Sequence, residues 1–185
     1  MTQSKTLRRW ELALLLGVAL AALLGVWLDG AQAALSDRVI RLHVLANSDS
    51  EADQALKLRV RDAVLAEAEE LFVPGAGRAE TEELLRAHLY DLAAAGAEVV
   101  GEAGYSYPVT ASLVHDYWFP PKTYTDFALP AGAYTALRIE IGAGGGQNWW
   151  CVVFPPLCLG SVSETTQETA LEAGLTENQV SLMTG

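Results

Sequence analysis

The stretch VIRLHVLANSDSEADQALKLRVRDAVL, residues 39–65, changes its hydrophobic period part-way along. Up to Asn47 it alternates, with Ile40, Leu42, Val44 and Ala46 on one face and Arg41, His43 and Asn47 on the other, Leu45 being the exception. Successive side chains of a strand point to opposite faces, so this is the pattern of a half-buried β-strand. Further on, Leu56, Val60, Ala63, Val64, Ala68 and Leu71 recur at the spacing of one helix face, with Lys57 interrupting the stripe. Between the two, Ser48-Asp49-Ser50-Glu51 matches a capping box, in which the Ser48 hydroxyl accepts from the N3 amide and Glu51 reaches back. Asp49 and Asp53 then read as charges that favour the positive end of the helix. A strand, a tight turn and a helix to about Leu71 are predicted.

Val73-Pro74-Gly75-Ala76-Gly77 ends that helix, and a second is predicted over roughly Glu80 to Val99, with Leu84, Leu85, His88, Leu89, Leu92 and Ala95 on its apolar side. The period then returns to two. Tyr107, Val109, Ala111 and Leu113 alternate with polar neighbours, as do Leu137, Ile139 and Ile141, which implies strands near 105–116 and 134–142. The proline-rich segment from Phe119 to Gly132 reads as an ordered surface excursion with room for a short edge strand. Asn148–Phe154 is apolar on both parities, the signature of a central strand covered on both faces. The order β-α-α-β-β-β predicts an α+β domain over residues 38–160, with two helices on one face of a mixed, mainly antiparallel sheet. Residues 161–185 read as a polar C-terminal tail with at most a weak helix.

The chain has 185 residues, enough for one domain with a proper core. Its first 33 residues stand apart. Lys5, Arg8 and Arg9 precede an apolar run from Leu12 to Leu28, and Ala31-Gln32-Ala33 supplies small residues at a signal-peptidase spacing. The basic flank holds that end in the cytoplasm, so the remainder of the chain is expected to be exported. Seventeen apolar residues reach roughly 26 Å as a helix, so the segment is either a cleaved signal peptide or an N-terminal membrane anchor. Without it, 9 Lys+Arg face 21 Asp+Glu, a balance that argues against a nucleic acid or an anionic membrane surface as partner.

Both cysteines lie in GQNWWCVVFPPLC, residues 146–158. A thiol-dependent hydrolase built on Cys151, with His115 or His43 as base, needs an ionised thiol, and a strand apolar on both faces raises the thiol pKa. In an exported chain an even cysteine count favours a Cys151–Cys158 disulfide, the turn being helped by Pro155-Pro156; two buried free thiols are the alternative. Gly142-Ala-Gly-Gly-Gly146 lies between strands, opens no helix and lacks the Lys-Ser/Thr ending, so it is read as a hairpin connection and not a phosphate cradle. His43, Asn47 and Asp49 offer too few strong ligands for a metal site, and no cofactor is expected.

IRLHVLANSDSEADQALKLRVRDAVL (Ile40–Leu65), YPVTASL (Tyr107–Leu113), FPPKTYTDFALPAGAYTALRIEIG (Phe119–Gly142) and GQNWWCVVFPPLC together resemble the stage II sporulation protein R family of endospore-forming bacteria. The resemblance covers nearly all of residues 38–158. It implies a non-enzymatic signalling protein made in the forespore and exported to the space between the two sporulation membranes. There it would activate the membrane-bound protease, stage II sporulation protein GA, that processes the precursor of sigma factor E. The candidate partner-binding residues are Trp149, with Trp150, Gln147 and Asn148 beside it, and His43, Asn47 and Asp49 on the first strand and its exit. If helices cover the face of Trp150, Val152 and Phe154, Trp149 stands as an apolar patch on the polar face, unless the 119–133 excursion or the tail covers it.

Overall fold

The predicted first strand and helix form as β1 (Ile40–Leu45) and α2 (Glu51–Glu70), preceded by α1 (Gln3–Ser36). The computed structural model describes residues 3–73, 75–124, 127–158 and 165–184, and divides the chain into Met1–Ala34 and Leu35–Gly185. The start of α2 lies two residues later than the sequence suggests. Its N-cap is Ser50, whose hydroxyl accepts from the Asp53 amide at 3.1 Å, while Ser48 turns to the Asp53 carboxylate at 2.6 Å. Ser48 is thus part of the turn, where its hydroxyl accepts from the N-cap amide of Ser50 at 3.2 Å and donates to Asp53. Physically the displacement is small, because either serine supplies the same acceptor and the turn geometry selects between them.

Helix α2 buries Leu56, Val60, Val64 and Ala68, and Lys57 with them. The predicted second helix is two, α3 (Arg78–Ala87) and α4 (Leu89–Glu102), which break at His88 where the backbone leaves helical geometry (φ −109°, ψ 18°). Half-buried His88 hydrogen-bonds the Leu84 carbonyl at 2.8 Å through Nδ1, beside its own amide, which reaches the same carbonyl at 3.2 Å. It sits at the core edge, as its place on the apolar stripe predicts. Leu85 and Leu92 then pack with the α2 stripe and with Leu42, Val44, Leu137, Ile139 and Ile141 of the sheet to form the main core.

The sheet is mixed, as predicted, in the order β2 (Val109–Phe119), β5 (Gly132–Ile141), β1, β6 (Asn148–Phe154). β1 runs parallel to β5 and antiparallel to β6, and β2 is antiparallel to β5. Two expectations change. β1 is the strand wholly buried on both faces, Arg41 and His43 included, whereas β6 lies at a sheet edge. The glycine run is no hairpin, because β5 and β6 do not pair and the loop crosses over the end of β1 that lies between them.

The second face of the sheet is what buries Arg41 and His43. Within the proline-rich excursion a small ladder forms between β3 (Lys122–Thr123) and β4 (Ala128–Leu129). Helices α5 (Thr165–Glu172) and α6 (Glu177–Thr184) occupy the predicted polar tail. Ala170, Leu175, Val180 and Met183 from this tail join Phe119, Phe127, Leu129, Tyr134, Ala136 and Val152 in a second core. The tail's apolar residues straddle a break at Gly174, so no single helical stripe announces them. Its first four residues, 161–164, lie outside the described set.

In the N-terminal unit, Arg8–Trp27 forms one apolar helical stretch of 20 residues with mean hydropathy 2.0, none of it buried. At about 1.5 Å per residue it is roughly 30 Å long, the thickness of a bilayer's hydrocarbon core.

Candidate functional site

Five of the predicted partner-binding residues meet at one end of the sheet, where the β1–α2 turn locks onto the β5–β6 loop. The Asn47 side chain donates to Asp53 at 2.9 Å and accepts from the Ala143 amide at 3.0 Å. Asp49 accepts from the Gln147 amide at 2.8 Å. His43 Nε2 hydrogen-bonds Asn148 Oδ1 at 2.8 Å. The Lys57 ammonium donates to the Gln147 carbonyl at 2.9 Å and to Gln54 at 2.6 Å. Burial lowers the Lys57 pKa, opposed by the Asp49 charge. Hydrogen bonds from Ser48 and Asn47, ahead of those from Ser50 and Tyr107, hold the Asp53 carboxyl below its ordinary range despite its burial.

The glycines are required by this crossing. A Cβ on Gly146 would lie 2.2 Å from the Ser48 carbonyl oxygen, and Gly142 has φ +60° with the Asn47 side chain 2.2 Å from where its Cβ would be. The loop amides bind the end of β1 directly, Gly146 to Ala46 O at 3.0 Å and Gly145 to Asn47 O at 3.3 Å. This end of the domain is therefore a rigid polar joint in which Asn47, Asp49 and Gln147 are engaged with their own chain.

The two tryptophans part company. Register places Trp149 opposite Val44 and Trp150 opposite His43, so they point to opposite faces. Trp149, with Cys151 and Val153, is on the helical face, reversing the predicted assignment. A bulge opposite Ile40/Arg41 brings Phe154 to that face as well. Trp149 is half-buried, and the Arg61 guanidinium of α2 lies over its ring at 4.4 Å, so neither the excursion nor the tail is its cover. Cys151 is joined to Cys158, with Cα atoms 6.0 Å apart, and the Val152 amide donates to Cys158 Sγ at 2.9 Å. The bridge thus folds residues 155–158 back along the outer edge of β6 and leaves no free thiol at Cys151.

Sequence reading missed the environment of Arg41. It is wholly buried on the second face, with its guanidinium 4.1 Å from the Phe119 ring centre and 5.1 Å from that of Tyr134. Nη2 donates to the Tyr124 hydroxyl at 3.2 Å, which in turn donates to the Trp150 carbonyl at 3.3 Å. Nε and Nη1 have no partner among the described residues. Burial raises the Tyr134 pKa to about 12. His43 lies beside Tyr117, with ring centres 5.1 Å apart, and burial lowers its pKa, against the raising effect of the Asn148 hydrogen bond. The only available signal for this niche is the polar face of the first strand, which the alternation pattern assigns to water.

Residues 36–164, from the start of β1's lead-in to beyond the disulfide turn, match the family model for stage II sporulation protein R. The chain belongs to the stage II sporulation protein R family. Stage II sporulation protein R of Bacillus subtilis (strain 168) is 39% identical over 124 residues, 67% of this chain and 55% of that relative, so this chain spans about half the relative's length. No solved structure matches the chain significantly. The family span contains the polar joint, the disulfide and the Arg41 niche, whereas α5, α6 and most of α1 lie outside it.

Proposed function

We propose that this protein is an exported sporulation signal that activates the membrane-bound protease, stage II sporulation protein GA, which cleaves the precursor of sigma factor E. The observation that carries the reading is family membership across residues 36–164. The apolar stretch Arg8–Trp27 supports delivery across, or tethering to, a membrane. In this reading the forespore exports the domain to the intermembrane space. There it binds the extracytoplasmic part of the protease and shifts it toward its active arrangement. A ligand shifts such an equilibrium only by its differential affinity for the two states, so the domain's task is to present a surface that fits one of them better. The rival reading, a hydrolase using Cys151, requires a thiolate that the disulfide removes.

The test is co-production of the full chain with the protease and its precursor substrate, reading precursor cleavage. Cleavage that depends on the full chain is the expected result. Absence of any dependence, with the chain exported and folded, overturns the activator reading.

A further inference from the structure

The sheet ends on β2, whose outer edge has no backbone partner among the described residues. The Gly142 amide donates to the Pro108 carbonyl at 2.8 Å, which sets the phase of the β2–β5 ladder. Bonded pairs alternate in an antiparallel ladder, so Thr110, Ser112 and Val114 turn their backbone groups toward Glu140, Arg138 and Ala136 of β5. Val109, Ala111 and Leu113 therefore present their N–H and C=O groups outward. From Val109 to Trp118 no residue is fully buried, whereas β1 is buried throughout.

Open edges invite pairing, and proteins blunt them with lysine, proline or bulges. The stretch Val109–Val114, VTASLV, contains neither lysine nor proline and no charge, on a chain of formal charge −11. It is bounded by Pro108 on one side and, after Val114, by a register shift where Asp116 has φ +53°. The other sheet edge is treated differently. Along β6 the Cys151–Cys158 turn folds back, and the Val152 amide reaches Cys158 Sγ.

Beside the open edge lies one flank of α4. A Cβ on Gly96 would be 3.0 Å from Val109 Cγ1 and 3.1 Å from Val60 Cγ1, so α4 is seated on β2 with α2 on its inner side. Leu92, Gly96 and Val100 face the core. At about 100° per residue, Asp91, Glu98 and Glu102 then fall on one flank and Tyr90, Ala94, Ala97 and Gly101 on the other. Glu102 pairs with Arg59 of α2 at 3.6 Å, so the acidic flank is turned toward α2. The uncharged flank, exposed at all four residues, runs along the outer side of β2.

We propose that two copies of this chain join edge to edge through β2, making one continuous sheet across a two-fold axis perpendicular to it. Centred on Ala111, the pairing sets Ala111 against its own counterpart, Val109 against Leu113 and Thr110 against Ser112. All three outward residues then bond in register, and the Thr–Ser pairs add cross-strand contacts on the polar face. The same axis brings the two α4 flanks together on the helical face, where alanine and glycine permit close approach. A single strand from another protein would pair with the edge and leave that flank bare, whereas a second copy covers both with one self-complementary patch. Neutrality matters here, because acidic surface elsewhere on the chain repels a second copy. The contact needs no protease and does not rest on the activator reading.

In the deciding experiment the full chain, α1 included, is diluted in series in a neutral detergent while its mass is followed by sedimentation. Wild type is expected to pass from dimer to monomer. Ala111→Pro removes an outward N–H and leaves the β5 ladder bonded, so it should raise the dissociation constant about tenfold or more with a cooperative melting transition retained. Ala97→Glu on the exposed flank should do likewise without touching the sheet, and Glu102→Gln on the opposite flank should change nothing. Register is read by oxidising a mixture of Thr110→Cys and Ser112→Cys chains. Facing residues of a non-hydrogen-bonded pair have Cα atoms about 4.5 Å apart, within disulfide reach, so the mixture should crosslink and each variant alone should not. A monomer at every concentration, or a dimer indifferent to both folded Ala111→Pro and folded Ala97→Glu, overturns the proposal. Crosslinking no better in the mixture than in either variant alone overturns the Ala111-centred register. Monomeric wild type whose capture of the protease is lost in Ala111→Pro would give the edge to a strand of another protein, which overturns the second copy as its occupant.

Discussion

At the scale of single residues, Arg41 is held against its own energetics. The rings of Phe119 and Tyr134 and the Tyr124 hydroxyl return part of the desolvation cost, but two donor nitrogens stay unpaired among the described residues. Replacing an imperfectly paired buried charge by an apolar side chain of similar volume is often stabilising. Arg41→Met is therefore expected to raise the unfolding free energy by about 1–3 kcal/mol in urea titrations; a loss of similar size would mean that the cation–ring contacts outweigh the orphaned donors. His43 gives a pH dependence. Its folded pKa lies below the ordinary 6.5, so the unfolded chain binds the proton more readily. Its contribution is fully present above 6.5 and is lost as pH falls from there through the folded value. Stability measured at pH 8 and pH 5.5 should fall more steeply for wild type than for His43→Asn, and parallel profiles would assign the acid sensitivity to other groups.

Among the elements, the β5–β6 loop and the disulfide turn fix where β6 lies. Gly146→Ala drives a methyl into the Ser48 carbonyl, a backbone atom that cannot rotate away. It should cost about 1–3 kcal/mol, with a lowered denaturation midpoint as the readout. Closing the eight-residue loop between Cys151 and Cys158 is worth about 2.5 kcal/mol in the chain-entropy model, so reduction or Cys158→Ala should lower stability by about that amount while leaving a cooperative transition. These two features mark what sequence could and could not convey. The change of period in residues 39–65 announced β1 and α2, and cysteine parity together with the expected export favoured the bridge. The insertion of β1 between β5 and β6 left no local trace, because strand order is a long-range choice. A glycine run between two strands reads as a hairpin until the strand it crosses is known. The same ignorance reversed Trp149 and Trp150, since parity separates two faces without saying which one the helices cover.

For the whole molecule, the sheet carries a core on each face. The first, under α2, α3 and α4, follows from strong helical stripes. The second was illegible because its parts come from a proline-broken excursion and from a tail whose buried Ala170, Leu175, Val180 and Met183 lie among polar residues on two short helices. That second layer is why Arg41 is dry and why one half of the sheet face is closed while the Ser112–Arg138 half stays open. It also makes the C-terminal segment structural, although it lies beyond the residues matched to the family. Removing the chain after Cys158 strips those four apolar side chains from the second core, and exposed apolar surface of that kind promotes association. Full burial of a Val- or Met-sized side chain is worth about 1.5–3 kcal/mol, so their joint loss is comparable with the 5–15 kcal/mol that typically separates folded from unfolded domains. The truncated chain is therefore expected to bind a hydrophobic dye and to lose its sharp thermal transition. Single replacements such as Val180→Ala should cost about 1–3 kcal/mol with folding intact. A truncated chain that melts like the full one and binds no dye would show that the excursion alone seals the second face.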